Sequence, residues 1–201
     1  MGVCNYAAIA AQRDSDSKYL GKSGLGAGSG DHRPAGRADR VFKEAGNRVS
    51  KIEQKLAELG HTLPEVATPA GSYLPAMISG NLVFTAGQIP LIDGKLMATG
   101  KLGKEIETAH GAEIAERCAL NALAAIKSVL GDLDRIKQIV KVVGFVSSVP
   151  EFSSQPAVIN GASEFLQQVF GDAGKHARSA VGVSVLPLDA PVEVELIVEF
   201  V

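Results

Sequence analysis

The chain has 201 residues, of which 46% are hydrophobic and 21% are charged, so it can form one domain with a buried core and has some length to spare. Its formal net charge is −2 and it has no basic run, which argues against a nucleic-acid-binding surface, and no apolar stretch reaches membrane-spanning length. The two cysteines, without a CxxC pair or paired histidines, predict neither a disulfide framework nor a metal site, and they favour a reducing, cytoplasmic setting.

Residues 1–48 differ in composition from the rest of the chain. Residues 21–30 are rich in Gly and Ser and show no hydrophobic period, which predicts a flexible N-terminal extension. Gly21-Lys22-Ser23 lacks the earlier glycine of a phosphate-binding loop, because Asp16 stands at that position, so no nucleotide site is predicted. An alternative hypothesis places the true start at Val49 and makes residues 1–48 a start-site artefact. The intact mass of the natively expressed protein decides between the two.

A short helix is predicted from Ser50 onward. Ser50 and Glu53 have the spacing of a capping box, and Gly60 provides a stop signal. Between them lies an apolar stripe formed by Ile52, Leu56 and Leu59. The prolines in residues 63–71 indicate an extended connector to the main domain.

The main domain begins with strands. Residues 74–79 and 82–86 predict a hairpin that turns at Gly80-Asn81. Asp93-Gly94 is a second tight-turn signal, and a short strand is expected at 96–99.

A long helix is predicted over residues 108–130 and ends at Gly131. Cys118 falls on its apolar side, where a thiol packs as a small hydrophobic group. Glu113 and Arg117 are spaced to form an ion pair on the solvent-exposed side. A strand over 136–148 and a second helix, with Pro156 in its first turn and Gly171 at its end, follow.

The C-terminal segment predicts two strands joined by a turn between Pro187 and Pro191. Residues 178–185 and 192–199 both alternate with the period of half-buried strands. If these strands pair with each other, Arg178 shares a sheet with Glu193 and Glu195. A guanidinium beside a carboxylate suits a site for a small carboxylic acid, and the alternative is an ion pair across a solvated sheet face.

The order of elements predicts an α+β fold. It consists of one mostly antiparallel sheet with two helices on one face, plus the short N-terminal helix. The opposite sheet face mixes polar and apolar residues, so we expect it to be covered by further subunits in an oligomer.

Two blocks of the sequence, far apart in the chain, resemble the YjgF/RidA family. The C-terminal block consists of Ala177-Arg178-Ser179, Leu186-Pro187 and Val192-Glu193-Val194-Glu195. The N-terminal block consists of Gly71-Ser72-Tyr73 and the run SGNLVFTAGQIP over residues 79–90. The resemblance covers residues 49–201, which we take as the family-like domain. It implies a chorismate-mutase-like subunit, a homotrimer and active sites in clefts between neighbouring subunits.

The resemblance also implies roles for particular residues. Arg178 matches the arginine that clamps the substrate carboxylate, and Glu193 matches the glutamate that holds the hydrolytic water. Glu195 has the same side-chain direction in a strand, so the sequence alone does not separate the two glutamates. Tyr73 matches the tyrosine of the cleft, and Asn160 matches an asparagine on the second helix.

The loop Gly87-Gln88 matches the family's pocket-lining loop, where glycine permits close approach of a ligand to the backbone. Two positions depart from the family pattern. Ala86 stands where many members have Ser, which removes a hydroxyl donor and puts the substrate range in doubt. Ala180 stands where many members have Cys, whose backbone carbonyl is thought to act, so Ala180 could substitute.

The resemblance implies a cofactor-free hydrolase of C–N bonds that converts enamines and imines such as 2-aminoacrylate to keto acids and ammonia. Its partner would be a small, carboxylate-bearing imine or enamine. One alternative is a regulatory protein that binds a metabolite in the same cleft without turnover. Another is an endoribonuclease, which the sequence disfavours because it has no basic groove, aromatic platform or paired histidines.

Overall fold

From Ser50 onward, the chain forms a sheet with its helices on one side. The computed structural model describes residues 50–67 and 71–201, so the predicted extension over residues 1–48 lies outside the described residues. The helices are α1 (Lys51–Glu58), α2 (Thr108–Leu130) and α3 (Gln155–Phe170). The strands are β1 (Ala76–Ser79), β2 (Leu82–Thr85), β3 (Leu91–Ile92), β4 (Lys95–Leu96), β5 (Ile136–Ser147), β6 (Ala177–Val183) and β7 (Val192–Phe200).

Five of the strands form one sheet in the order β1-β2-β7-β5-β6, and β3 and β4 form a separate hairpin. All neighbours in the large sheet are antiparallel except β5 and β6, which are parallel. The expectation that β6 and β7 pair with each other is therefore wrong, because β5 lies between them. The helix α3 connects β5 to β6, and a helical crossover of this kind returns the chain in the parallel direction.

The core lies between this sheet and the helices α2 and α3. On β7 the side chains that face the helices are at most 1% exposed, namely Val192, Val194, Leu196 and Val198. Their alternation with half-exposed residues confirms the predicted period of this strand. On β5, a Cβ at Gly144 would overlap the side chain of Ile159, so α3 packs directly on the backbone of the sheet. We refer to the side of the sheet under the helices as the helix face and to the other side as the open face.

The helix α1 is confirmed, but its predicted capping box is wrong. The Ser50 side chain makes no capping bond and instead donates to Asp134 Oδ1 at 2.6 Å. The two Asp134 carboxylate oxygens also accept hydrogen bonds from the backbone N–H groups of Lys51 and Ile52, at 3.0 and 2.9 Å. Asp134 therefore satisfies the first N–H groups of the helix from a distant part of the chain. Leu56, at 1% exposure, attaches α1 to the core.

The long helix occupies the predicted residues, and Gly131 ends it with a φ of +79°. Cys118 is fully buried, as predicted. The Asp93-Gly94 turn is also confirmed, although its strands are short and lie at Leu91–Ile92 and Lys95–Leu96 rather than at 96–99. The α+β class, with two helices on one face of a mostly antiparallel sheet, is as expected. Within residues 50–67 and 71–201, no helix combines the length and apolarity needed to cross a bilayer.

Candidate functional site

Arg178 lies on β6, where it pairs in register with the fully buried Val142 of β5. Paired residues on neighbouring strands point to the same side of a sheet, so Arg178 is on the helix face. Its Nη1 atom donates to Asn160 Oδ1 at 2.8 Å and to Ser163 Oγ at 3.1 Å, and both acceptors are on α3. The guanidinium is half-buried, and these two bonds fix its orientation with a single nitrogen atom.

A second set of hydrogen bonds holds Ser163 in place. His176 Nδ1 lies 2.6 Å from Gly174 O, and His176 Nε2 lies 3.0 Å from Ser163 Oγ. A carbonyl oxygen can only accept, so Nδ1 donates, and Nε2 of the neutral ring accepts from the Ser163 hydroxyl. Sequence reasoning missed Ser163, although a serine within the apolar stripe of α3 was a usable signal. Through these two bonds His176 positions Ser163.

Ala180 lies two residues beyond Arg178 on the same face of β6, where it packs against the core. We refer to Arg178, Asn160, Ser163 and Ala180 as the arginine half-site. The structure therefore places Arg178, the residue predicted to hold a carboxylate, beside the predicted site residues Asn160 and Ala180.

Glu193 lies on the other face of the sheet from Arg178. It alternates on β7 with the buried Val192 and Val194, so its side chain is on the open face. Glu195, two residues further along β7, is on the same face. Burial raises the pKa of both carboxyl groups, and the charge of Glu195 raises the pKa of Glu193 further. A carboxyl group with a raised pKa can both accept and return a proton nearer neutral pH.

Gly87 makes room for Glu193, because a Cβ at position 87 would overlap the Glu193 carboxylate. Next to it, Gln88 continues the sheet beyond β2. Its N–H donates to Val194 O at 2.9 Å, and its carbonyl accepts from Val194 N–H at 3.0 Å. The Gln88 Nε2 atom donates back to Ala86 O at 3.1 Å. Glu193 is therefore the glutamate held against the Gly87-Gln88 loop.

Tyr73 is 53% exposed and lines a cavity of about 470 Å³ together with Gly87 and Gln88. We refer to Tyr73, Ala86, Gly87, Gln88 and Glu193 as the loop half-site. Ala86 belongs to it through backbone bonds, since its N–H donates to Pro75 O at 2.9 Å. The side chain at position 86 contributes no hydroxyl.

Arg117 also lines this cavity, and its predicted role is wrong. Glu113 pairs with His110 at 3.0 Å instead of with Arg117. The Arg117 Nε atom donates to Leu91 O at 2.9 Å, so the side chain turns toward the β3–β4 hairpin and away from open solvent. Sequence spacing alone could not reveal this contact, because its partner lies 26 residues away in the chain.

Within the chain, Arg178 and Glu193 do not meet. Their side chains lie on opposite faces of the sheet, and β5 separates the strands that carry them. Two strand spacings amount to about 10 Å, which exceeds the length of a three-carbon imino acid. Across the described ranges, no group of three or more His, Cys, Asp or Glu side chains is arranged to hold a metal ion.

The fold defines a class of protein, that of the chorismate-mutase-like α+β fold. A family model with the description "YjgF/chorismate_mutase-like, putative endoribonuclease" matches residues 53–200. The chain belongs to the YjgF/RidA family.

Its similarity to individual members extends over most of their length. Protein TCP17 of Trypanosoma cruzi is 42% identical over 74% of this chain and 94% of its own. The 2-iminobutanoate/2-iminopropanoate deaminase of Dermatophagoides farinae is 32% identical over 67% of this chain and 91% of its own. The crystal structure of Atu1372 from Agrobacterium tumefaciens is 47% identical, covers 75% of this chain and 93% of that one, and superposes with a TM-score of 0.71.

Proposed function

We propose that this protein hydrolyses small enamines and imines that carry a carboxylate, and that it releases a keto acid and ammonia. The observation that carries the proposal is the orientation of Arg178. Its Nη1 atom is occupied by Asn160 and Ser163, and no described residue accepts a hydrogen bond from its Nη2 or Nε atoms. A guanidinium fixed in this way is prepared to bind a carboxylate with the remaining N–H groups. The 32% identity to an imine deaminase supports the same chemistry.

The reaction needs little beyond positioning and proton transfer. An enamine first takes a proton on carbon and becomes a protonated imine, whose carbon is electrophilic. Water adds to that carbon and gives one proton to the Glu193 carboxylate. The carboxyl group returns the proton to the departing nitrogen, and the C–N bond breaks as the C=O bond forms. Ammonia leaves, and the hydroxyl proton passes to solvent, which replaces the proton that the enamine took up in the first step. No oxidant or reductant is consumed.

The separation of the half-sites gives this proposal a second component, a homotrimer. Because one subunit cannot bring Arg178 and Glu193 to one small ligand, the cleft requires the arginine half-site of one copy and the loop half-site of a neighbour. The open face supports such an assembly, because it exposes Met77 at 58%, Phe84 at 39% and Val181 at 45%. Apolar side chains of this size, exposed along one sheet face from β1 to β6, are typical of a surface that another chain covers.

The test compares Arg178→Ala with wild-type protein, using release of pyruvate and ammonia from 2-aminoacrylate made in situ. We expect the loss of substrate orientation to reduce turnover about 100-fold or more. Arg178→Lys should restore little activity, because lysine lacks the bidentate fork. The matched control is Arg135→Ala, since Arg135 contacts Leu130 O, Val201 O and the Phe200 ring instead. Equal turnover in Arg178→Ala, with the oligomer intact by light scattering, contradicts the proposal.

A second candidate function is metabolite binding without turnover, and Ala86 is the observation that favours it. The side chain at this position offers no hydroxyl to a reacting group or a water molecule. Calorimetry with pyruvate and 2-oxobutanoate, run beside the turnover assay, separates the two functions. Binding that depends on Arg178 without any ammonia release would establish a binding protein.

A further inference from the structure

The 470 Å³ cavity extends from the loop half-site to the helix α2, and its chemistry there is not used by the proposed reaction. Apolar walls come from Val66, Pro75, Ile89 and Leu188. Its volume lies within the range of small-molecule sites, which also combine apolar walls with a few polar groups. The charged groups around it are Arg117, Glu65 and Asp93.

Arg117 is the one cation among the lining residues, and it is half-buried. Only its Nε atom has a partner, Leu91 O, so in the described part of the chain both Nη atoms lack an acceptor. Burial lowers the pKa of the guanidinium, and the nearby charge of Asp93 partly opposes this effect. No carboxylate of the described residues lies within 4.0 Å of Arg117 as an ion pair. A half-buried guanidinium without a direct ion pair is poised to bind an anion.

Asn121, one helical turn beyond Arg117, fixes the cavity wall. Its Nδ2 atom donates to Ile89 O at 2.9 Å and to Leu91 O at 3.2 Å. Together with the Arg117 bond to Leu91 O, these contacts hold the segment before the β3–β4 hairpin against α2. The geometry around the guanidinium is therefore fixed by the fold before any ligand arrives, which lowers the entropic cost of binding.

Asp93 and Glu65 supply two exposed carboxylates to the same cavity. A dianion such as phosphate would be repelled by both of them. A ligand with one carboxylate and one ammonium group complements the set, because each of its charges meets the opposite sign. The apolar walls then fit an apolar side chain.

We propose that this cavity binds an intact α-amino acid with an apolar side chain, with its carboxylate on Arg117 and its ammonium group toward Glu65 and Asp93. The site goes beyond the proposed hydrolysis, since the ligand is neither an imine nor bound by Arg178. It adjoins the loop half-site through Tyr73, Gly87 and Gln88, so an occupant would contact the proposed cleft.

The experiment is calorimetry on the full chain with three probes that differ only at their polar end: L-leucine, 4-methylpentanoate and L-leucinamide. We expect L-leucine to bind best, and each of the other two to lose about tenfold or more in affinity, because each lacks one charged contact. Equal binding of 4-methylpentanoate overturns the assignment to amino acids. Failure of L-leucine to bind at millimolar concentrations overturns the site itself.

Variants identify the contacts. Arg117→Met should weaken L-leucine binding about tenfold or more. Asp93→Asn is compatible with the turn, because Asn tolerates the positive φ of 50° at this position. It should reduce the difference in affinity between L-leucine and 4-methylpentanoate. Asn121→Ala removes the contacts that hold the same cavity wall but keeps the Arg117 cation. If Asn121→Ala loses as much L-leucine affinity as Arg117→Met does, the effect belongs to the wall, and the role of Arg117 is overturned.

Arg178→Ala separates this inference from the proposed function. It should leave L-leucine binding unchanged while it abolishes 2-aminoacrylate turnover. Loss of L-leucine binding in Arg178→Ala places the amino acid at the arginine half-site and overturns the inference. Absence of turnover in the wild-type protein rejects the proposed hydrolysis, and the calorimetry still decides the cavity.

Discussion

The two faces of the five-stranded sheet are made by the same strands and yet have different tasks. On the helix face of β7, the side chains from Val192 to Val198 are at most 1% exposed and pack against α2 and α3. On the open face, the intervening Glu193 and Glu195 are only partly covered, and burial raises the pKa of both carboxyl groups. One face therefore supplies stability, while the other retains carboxylates that destabilise the fold, as groups kept for the proposed chemistry would.

The largest expected effect is the loss of stability caused by a substitution on the helix face. Gly144→Val adds a branched side chain where even a Cβ would overlap Ile159, so the free energy of unfolding should fall by about 3 kcal/mol. In a chain of this size, that loss lowers Tm by roughly 6–12 °C. The control is Ser79→Val, which places the same side chain at an exposed position of β1. Thermal unfolding followed by circular dichroism measures both, and equal Tm values would show that the two faces tolerate bulk alike.

A second variant tests whether another subunit covers the open face. Phe84→Glu places a charge among the exposed apolar residues, and burying it against another subunit would leave it unpaired. We expect the proposed trimer to dissociate into folded monomers, as measured by light scattering after size exclusion. Ile92→Glu, at an exposed apolar position of the separate β3–β4 hairpin, makes the same change of charge and should remain trimeric. A trimer that survives in Phe84→Glu contradicts the use of this face as the interface.

The smallest expected effect is the pH dependence of stability that Glu193 causes. Because the pKa of Glu193 is raised in the folded state, the folded protein binds this proton more tightly than the unfolded chain does. The ionised carboxylate therefore destabilises the fold above its raised pKa, and the penalty disappears as the pH falls below the ordinary value of 4.5. Glu193→Gln should raise Tm at pH 7 by on the order of 1–3 °C, with little change at pH 4.

The same substitution should abolish turnover, so stability and activity would move in opposite directions. Glu164→Gln, on the exposed side of α3, should change neither quantity. A lower Tm for Glu193→Gln at pH 7 would mean that the carboxylate stabilises its face, and the contrast between the two faces would weaken.

Periodicity predicted the elements of this fold but not all of their neighbours. The 23-residue helix α2 and the alternating strand β7 were predicted because each carries its full pattern within one segment. The predicted pairing of β6 with β7 was wrong, because alternation defines which side chains of a strand face the core but does not say which strand lies next to it. The strand–helix–strand order of β5, α3 and β6 was a better guide to their parallel pairing.

The candidate site shows the same limit. Arg178 and Asn160 were predicted, and they are hydrogen-bonded in the structure. Ser163 and the cavity side chain of Arg117 were missed, because their contacts reach His176 and Leu91 in other elements. Long-range contacts of this kind depend on packing, which a single sequence does not encode in its spacing.

The Asp134 carboxylate has one more consequence, which concerns how the chain can be shortened. Its three hydrogen bonds go to Ser50, Lys51 and Ile52, so a protein that starts at Val49 keeps every atom of this anchor. A fusion partner or surface linker attached just before Ser50 would leave from the point where α1 is joined to the start of β5. Asp134 thus sets the point up to which the chain can be shortened with this attachment of α1 kept.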